Sequence, residues 1–301
     1  MSQPFLNHTD DLYNATPQGE QLMRNYKSPR SLFVWVMTLL SGACLVLTLV
    51  PLFAVMIYVT IKGFNRLNLD LFTQLPPSAG MQGGGIANAI AGTLIMVGIA
   101  VAISVPIGVF GAVYLSEFSS LLVARWIRFA TNVLSGVPSI IVGIFAYGII
   151  VLTTKQFSAF AGGVALSVLM LPIVVRTTDE ALQIVPPDVR WASVGVGASN
   201  HQTVLRVVLP AALPAIITGL TLAIARAAGE TAPLIFTALF TFFWPQGLFE
   251  PAPSLAVLVY NFASVPYASQ QELAWAASLI LVLLVLLTSI LARWATRKSI
   301  Y

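Results

Sequence analysis

The sequence predicts an all-α polytopic membrane protein with six transmembrane helices. Three observations carry that expectation. Of 301 residues, 57% are hydrophobic and 9% are charged, against about 25% charged in an ordinary soluble domain. The mean hydropathy of +0.88 leaves too few ionic groups to coat a water-soluble particle, which excludes a soluble enzyme, a disordered chain and a nucleic-acid binder. The few charges are also spaced so that apolar stretches of spanning length lie between them. One cysteine, Cys44, and two distant histidines, His8 and His201, leave no material for an internal disulfide or a cysteine- or histidine-rich metal centre.

A spanning helix needs about 20 mostly apolar residues, so the gaps between charges act as a ruler. Residues 31–61 form the first candidate. The polar stretch 1–30 before it lacks the apolar core of a cleaved signal, so this first span is expected to be a signal anchor behind an N-terminal tail. Asn7 and Asn14 match the glycosylation pattern, which a cytoplasmic tail would not present to that machinery. Pro76-Pro77 and Gly83-Gly84-Gly85 break the next stretch, leaving 86–115 as the second span. The third and fourth are 129–154 and 156–175. The fifth, 207–239, is interrupted only by Arg226 and Glu230, and the sixth is 273–292. Residues 254–268 are apolar but short and flanked by proline, and are expected to form an external or membrane-dipping segment. On the second span Ser104, Gly108 and Ala112 recur every four residues, a small-residue face for close helix contact.

Lysine and arginine set the orientation. With six spans, Arg24, Lys27, Arg30, Arg125, Arg128, Arg176, Arg190, Arg206, Arg293, Arg297 and Lys298 fall on one side. Lys62, Arg66 and Lys155 fall on the other, so both termini are expected in the cytoplasm of a prokaryotic cell. The chain lacks the glycine-rich Lys-[Ser/Thr] phosphate loop, the hydrolase serine elbow and the His-Glu-x-x-His zinc motif. It is therefore expected not to be an enzyme and to bind no ATP, metal or other cofactor by itself.

Two constellations remain. The first is the cytoplasmic segment of about 176–206, rich in small residues around Ala192, Ser193, Gly197 and Ala198. The second is Arg226 with Glu230, spaced i, i+4 within the fifth span. An arginine at mid-helix costs about 2.5–3.5 kcal/mol on insertion scales, so it is expected to face the bundle interior or a wet cavity. Its planar donor fork matches the oxygens of phosphate, and Glu230 offsets its charge and holds it in place.

The first constellation has a known counterpart. Trp191-Ala192-Ser193, then Gly197, then Val207-Val208-Leu209-Pro210 fall at the spacing of the conserved loop of ABC-importer permeases, Glu-Ala-Ala, three residues, Gly, nine residues, Ile-x-Leu-Pro. The chain resembles that family, and more closely the PstA-type permeases of phosphate importers. The second likeness rests on GGGIANAIAG (83–92), GAVYLSEF (111–118), PSIIVGIFAY (138–147), PIVVRTT (172–178), ARAAGETAPLIFTAL (225–239) and QELAWA (271–276).

The resemblance implies a MetI-like permease domain over 31–301 and a non-catalytic, multi-pass subunit of the cytoplasmic membrane. It implies a coupling loop seated on a separate ATPase through Arg190, Trp191, Ala192, Ser193, Gly197, Ala198, Leu209 and Pro210. Arg226 and Glu230 would lie on the substrate pathway. The implied partners are a homologous second permease (PstC-like), two ATPase subunits (PstB-like) that hold ATP and Mg, an external phosphate-binding protein (PstS-like) and membrane lipid. Trp191 departs from the family pattern, replacing the acid that would cap the coupling helix or pair with the ATPase; Asp188 stands nearby. The rival expectations are a permease of the same kind for another oxyanion or small solute, and a self-powered secondary transporter.

Overall fold

The computed structural model describes residues 29–297, and the N-terminal tail lies outside them. All regular structure among the described residues is helical. The described residues divide into two units, with the boundary between Ile57 and Tyr58. Helix α1 (Pro29–Phe64) belongs mostly to the first. It is apolar on every face, as a helix immersed in lipid must be.

In the second unit, α2 (Leu69–Thr73) is a single turn capped by Asn68, whose side chain accepts the amide of Leu71. The glycine-rich stretch then leads into α3 (Ala87–Glu117). Gly83 and Gly84 both have positive φ, which only glycine adopts cheaply. Helices α4 (Leu121–Ser135) and α5 (Ser139–Thr154) follow, bent 97° from each other. After them come α6 (Ala159–Gln183), the short α7 (Pro187–Gly195) and the long α8 (Asn200–Ala228). The chain ends in α9 (Ala232–Thr237), α10 (Leu255–Ala263) and α11 (Ala268–Arg297).

Five described helices are long and apolar enough to cross a membrane, and the bent pair α4–α5 supplies the sixth expected span. That span is not the straight helix over 129–154 that the charge ruler suggests. Pro138 has no amide to donate and pushes Val137 out of helical geometry, while Gly136 closes α4. The fifth expected span also differs, because α8 stops at Ala228 rather than running on to 239. The fourth runs further than the charges suggest, to Gln183.

The core forms where α3 lies along α6. Gly108 faces Val174, and a β-carbon on Gly108 would sit 2.6 Å from Val174 Cγ1. Ser104, Gly108 and Ala112 are all buried, so the small-residue stripe is a packing face. Met96 and Ala100 meet Leu166, Met170 and Val174 there, with Ala223 and Ala227 of α8 closing the cluster. Residues 238–254 and α10 fold back against the first turns of α3. The Asn88 amide donates to the carbonyls of Thr241 and Phe243, at 3.3 and 3.2 Å. Thr93 Oγ1 accepts the amide of Leu255 at 2.9 Å and donates to Ala89 O. Helix α10 has nine residues, too few to span, as the sequence leads one to expect.

Gly92 brings α3 nearest to that returning segment, since any β-carbon there would collide with the Pro253 carbonyl. Gly92→Ala is expected to destabilise the fold by about 1–3 kcal/mol through overpacking. Gly98→Ala, on the same helix with nothing within 4 Å, is expected to be neutral. Thermal unfolding of the two variants in detergent distinguishes them.

Candidate functional site

The loop expected over 176–206 is mostly helical. Helix α6 runs on to Gln183, Pro186 and Pro187 start α7, and Asp188 sits in its first turn, where a carboxylate favours the positive end of the helix dipole. Trp191 lies a turn further on, so an acid there would not cap α7; the capping position belongs to the Pro186–Asp188 turn. Helix α7 ends at Gly195, and Gly197 turns the chain with φ of 95°. Ser199 then opens α8 with a capping box, its hydroxyl accepting the Gln202 amide while Gln202 Oε1 accepts the Ser199 amide. The hydroxyls of Ser193 and Thr203 lie 2.9 Å apart and close the corner.

The side chains of this corner divide into two groups. Trp191, Val194 and Val196 are exposed, as are Ala192 and Gly195, giving α7 an outward face of apolar and small residues. Ser193 and Ala198 are half-buried. Gly197 has nothing within 4 Å of a would-be β-carbon, so within this chain its φ, not crowding, requires glycine. Arg190 points the other way. Its Nε and Nη2 donate to the two carboxylate oxygens of Glu117 at 3.3 and 2.9 Å, Nη2 also donates to Leu182 O at 2.9 Å, and Nη1 donates to Val185 O. His201 stacks on Phe118 with ring centroids 4.9 Å apart.

Leu209 and Pro210 lie in α8 just beyond a π turn over Val204–Val208. The wider turn relieves the clash that the Pro210 ring would make with the carbonyl four residues back.

Arg226 and Glu230 lie at the far end of α8, roughly 40 Å of helix from α7 at 1.5 Å per residue. The expectation of one continuous helix through both is corrected here. Gly229 caps α8, and Glu230 belongs to the break before α9. The pair still forms, with Arg226 Nε 3.5 Å from Glu230 Oε1. Arg226 occupies the last turn of α8, where the helix dipole favours a cation. Both residues border a recess with Leu169, Met170 and Ile173, the middle of α6 and about 15 Å along it from its start. The helix break and its ion pair therefore lie level with the middle of α6, a helix long and apolar enough to cross a membrane. The Arg226 side chain is 56% exposed and that of Glu230 is 15% exposed, so the guanidinium looks out of the chain rather than into its core.

Residues 104–301 match the family described as binding-protein-dependent transport system inner membrane component. The chain belongs to this family. It is 42% identical over 233 residues to the phosphate transport system permease protein PstA of Yersinia pestis, a match covering 77% of this chain and 79% of that one. The fold is shared with two solved ABC transporters. A bacterial alginate ABC transporter superposes with a TM-score of 0.64 at 16% identity, covering 91% of this chain and 98% of its own. The MetNI methionine ABC transporter gives 0.55 at 21%, covering 72% and 95%. Membership makes the chain a multi-pass component of the cytoplasmic membrane and a partner to a substrate-binding protein and an ATPase.

For an inner membrane component of this family, the sequence leaves two carboxylates unremarked. Glu117 pairs with Arg190. Asp179 takes a bidentate pair from Arg128 of α4, at 2.8 and 2.9 Å, and a further bond from Gln183 at 2.9 Å. Asp179 has a single available signal, that it lies in a helix continuing out of an apolar run. Its partner stands 51 residues away, and no sequence spacing links the two. Arg128→Ala removes the bidentate partner of the Asp179 carboxylate and leaves it the Gln183 bond; with the Arg128 side chain 41% exposed, the change is expected to cost about 1–2 kcal/mol of stability. Gly197→Ala, strained by its φ, is expected to cost about 1–2 kcal/mol, whereas Gly195→Ala, in open space, costs nothing measurable. Both comparisons are read from unfolding of the purified chain.

Proposed function

We propose that this chain is a membrane-spanning permease subunit of an ATP-driven importer for inorganic phosphate. The observation that carries the reading is the arginine level with the middle of a spanning helix, beside a helix break, with its guanidinium facing outward. The likeness to PstA proteins supports the choice of phosphate. A lone, partly neutralised arginine suits passage of an oxyanion better than storage, because a cluster of cations would hold phosphate too tightly for release. Glu230 reduces the cost of the cation when the path is empty, and the exposed side of Arg226 leaves the opposite wall to a second, homologous permease.

In this reading α7 sits on one of two ATPase subunits in the cytoplasm. Trp191, Val194 and Val196 offer its apolar contact, and Ala192, Gly195 and Gly197 allow close approach. ATP and Mg belong to that partner, and this chain catalyses no reaction. Both termini face the cytoplasm. The distribution of basic residues supports this, since Arg125, Arg128, Arg176, Arg190, Arg206 and Arg293 gather toward the end of the bundle that carries α7, and Lys62, Arg66 and Lys155 toward the other. A loaded phosphate-binding protein meets the opposite end, where 238–254 and α10 fold back.

Arg226→Gln keeps size and polarity but removes the charge. The variant is expected to assemble normally with its partners while phosphate uptake by vesicles falls to about a tenth or less, the loss of one charged hydrogen-bonding group being worth about 1.5–3 kcal/mol. Uptake at the wild-type rate would overturn the role of Arg226.

A further inference from the structure

Arg190 lies on the helix expected to dock on the ATPase, yet its guanidinium is spent inside the chain. It makes two bonds to Glu117 and one each to the carbonyls of Leu182 and Val185. The Arg190 side chain is 23% exposed and that of Glu117 is 9% exposed. Four of its five N–H groups are taken, so no pair of donors is left for a bidentate outside carboxylate. Leu182 and Val185 are themselves buried, packed with Val208 and Ala212 of α8. Arg190 thus fastens α7 to three elements at once: the last residue of α3, the end of α6 and the link that follows it.

Glu117 gives this fastening its reach. It is the final residue of α3, a single 31-residue helix. The first turns of that helix hold the returning segment through Asn88, Gly92 and Thr93. That segment is in turn bonded to the end of α9, where the Ala252 amide donates to Ala238 O at 3.2 Å. One helix therefore connects α7 to the neighbourhood of the break beside Arg226.

We propose that Arg190 is a positioning residue that carries displacement of α7 into α3 through Glu117, and not a docking contact with the ATPase. This rests on the importer reading above. The pair acts as a strut: it has no role in binding phosphate or ATP, and its effect lies in how much transport each hydrolysed ATP yields. A lysine cannot replace the fork, because a point charge on a flexible stem makes neither the bidentate pair nor both carbonyl bonds.

The test uses the complete importer in vesicles, with inorganic phosphate and the loaded binding protein, and measures uptake and ATP hydrolysis together. Glu117→Gln and Arg190→Lys are each expected to lower phosphate carried per ATP by about tenfold, a coupling loss of ordinary size. The double variant is expected to be no worse than either single one, since both remove the same link. The ATPase should remain in the purified complex in every case. Glu117→Asp, which keeps the charge but draws the carboxylate back, is expected to fall between wild type and Glu117→Gln. It also serves if Glu117→Gln fails to insert. A normal ratio in Glu117→Gln together with loss of the ATPase in Arg190→Lys would overturn the strut and make Arg190 a docking residue. If wild-type vesicles hydrolyse ATP in response to the loaded receptor but carry no phosphate, the substrate reading falls and hydrolysis judges the strut. Flattened stimulation in Glu117→Gln then supports it, and full stimulation overturns it.

Discussion

Inside a bilayer no water is available to satisfy a backbone amide or carbonyl, so each interruption of a helix must find its partners within the protein. This one constraint organises the second unit of the chain. The helix break at 229–231, the non-helical run 238–254 and the short α10 would be untenable in lipid. The break is closed by its own helix end, with Gly229 and Glu230 donating to the carbonyls of Arg226 and Ala227, and the returning run and α10 persist because α3 presents Asn88 and Thr93 where their backbones come back. The returning chain also bonds to the start of α6, with Ala159 and Phe160 donating to the carbonyls of Glu250 and Leu248. The close seating of α3 on α6, made possible by Gly108 and by Gly163 against Ile99, fixes the two helices that receive these bonds.

Much of the architecture was legible because charge is so scarce in this chain. Gaps between ionic residues located all six spans, and the bounds that failed did so for local reasons. Pro138 and Gly136 turned one span into an elbow, and Gly229 ended another early. Proline and glycine were visible in the sequence, but apolar runs pass over them without a change in hydropathy, and hydropathy was the ruler. The short α10 is legible as a segment that does not span, because its apolar stretch is short and flanked by proline.

The candidate site was legible in part. Arg226 and Glu230 do meet, although across a helix end and not along one face. The loop around Gly197 is where the spacing put it, but two of its residues work differently from their position in the motif. Gly197 is required by its backbone angle, and Arg190 turns inward. Glu117 and Asp179 were invisible as partners, because Arg190 lies 73 residues from Glu117 and Arg128 lies 51 from Asp179. Ion pairs across such separations come from the fold, and no local pattern announces them.

The two ends of the bundle are fastened by different chemistry. Near α7, Arg128–Asp179 and Arg190–Glu117 join separate helices through charged forks with fixed geometry. At the other end, α3 holds its neighbours through a neutral amide and a hydroxyl. The charged forks lie at the wetter end, with the Arg128 side chain 41% exposed, whereas Asn88 and Thr93 are buried, so the neutral bonds are the ones closed off from water. A docking partner or a change of ionic strength can therefore reach the fastenings of one mouth directly, while those of the opposite mouth give way only when the helices themselves part.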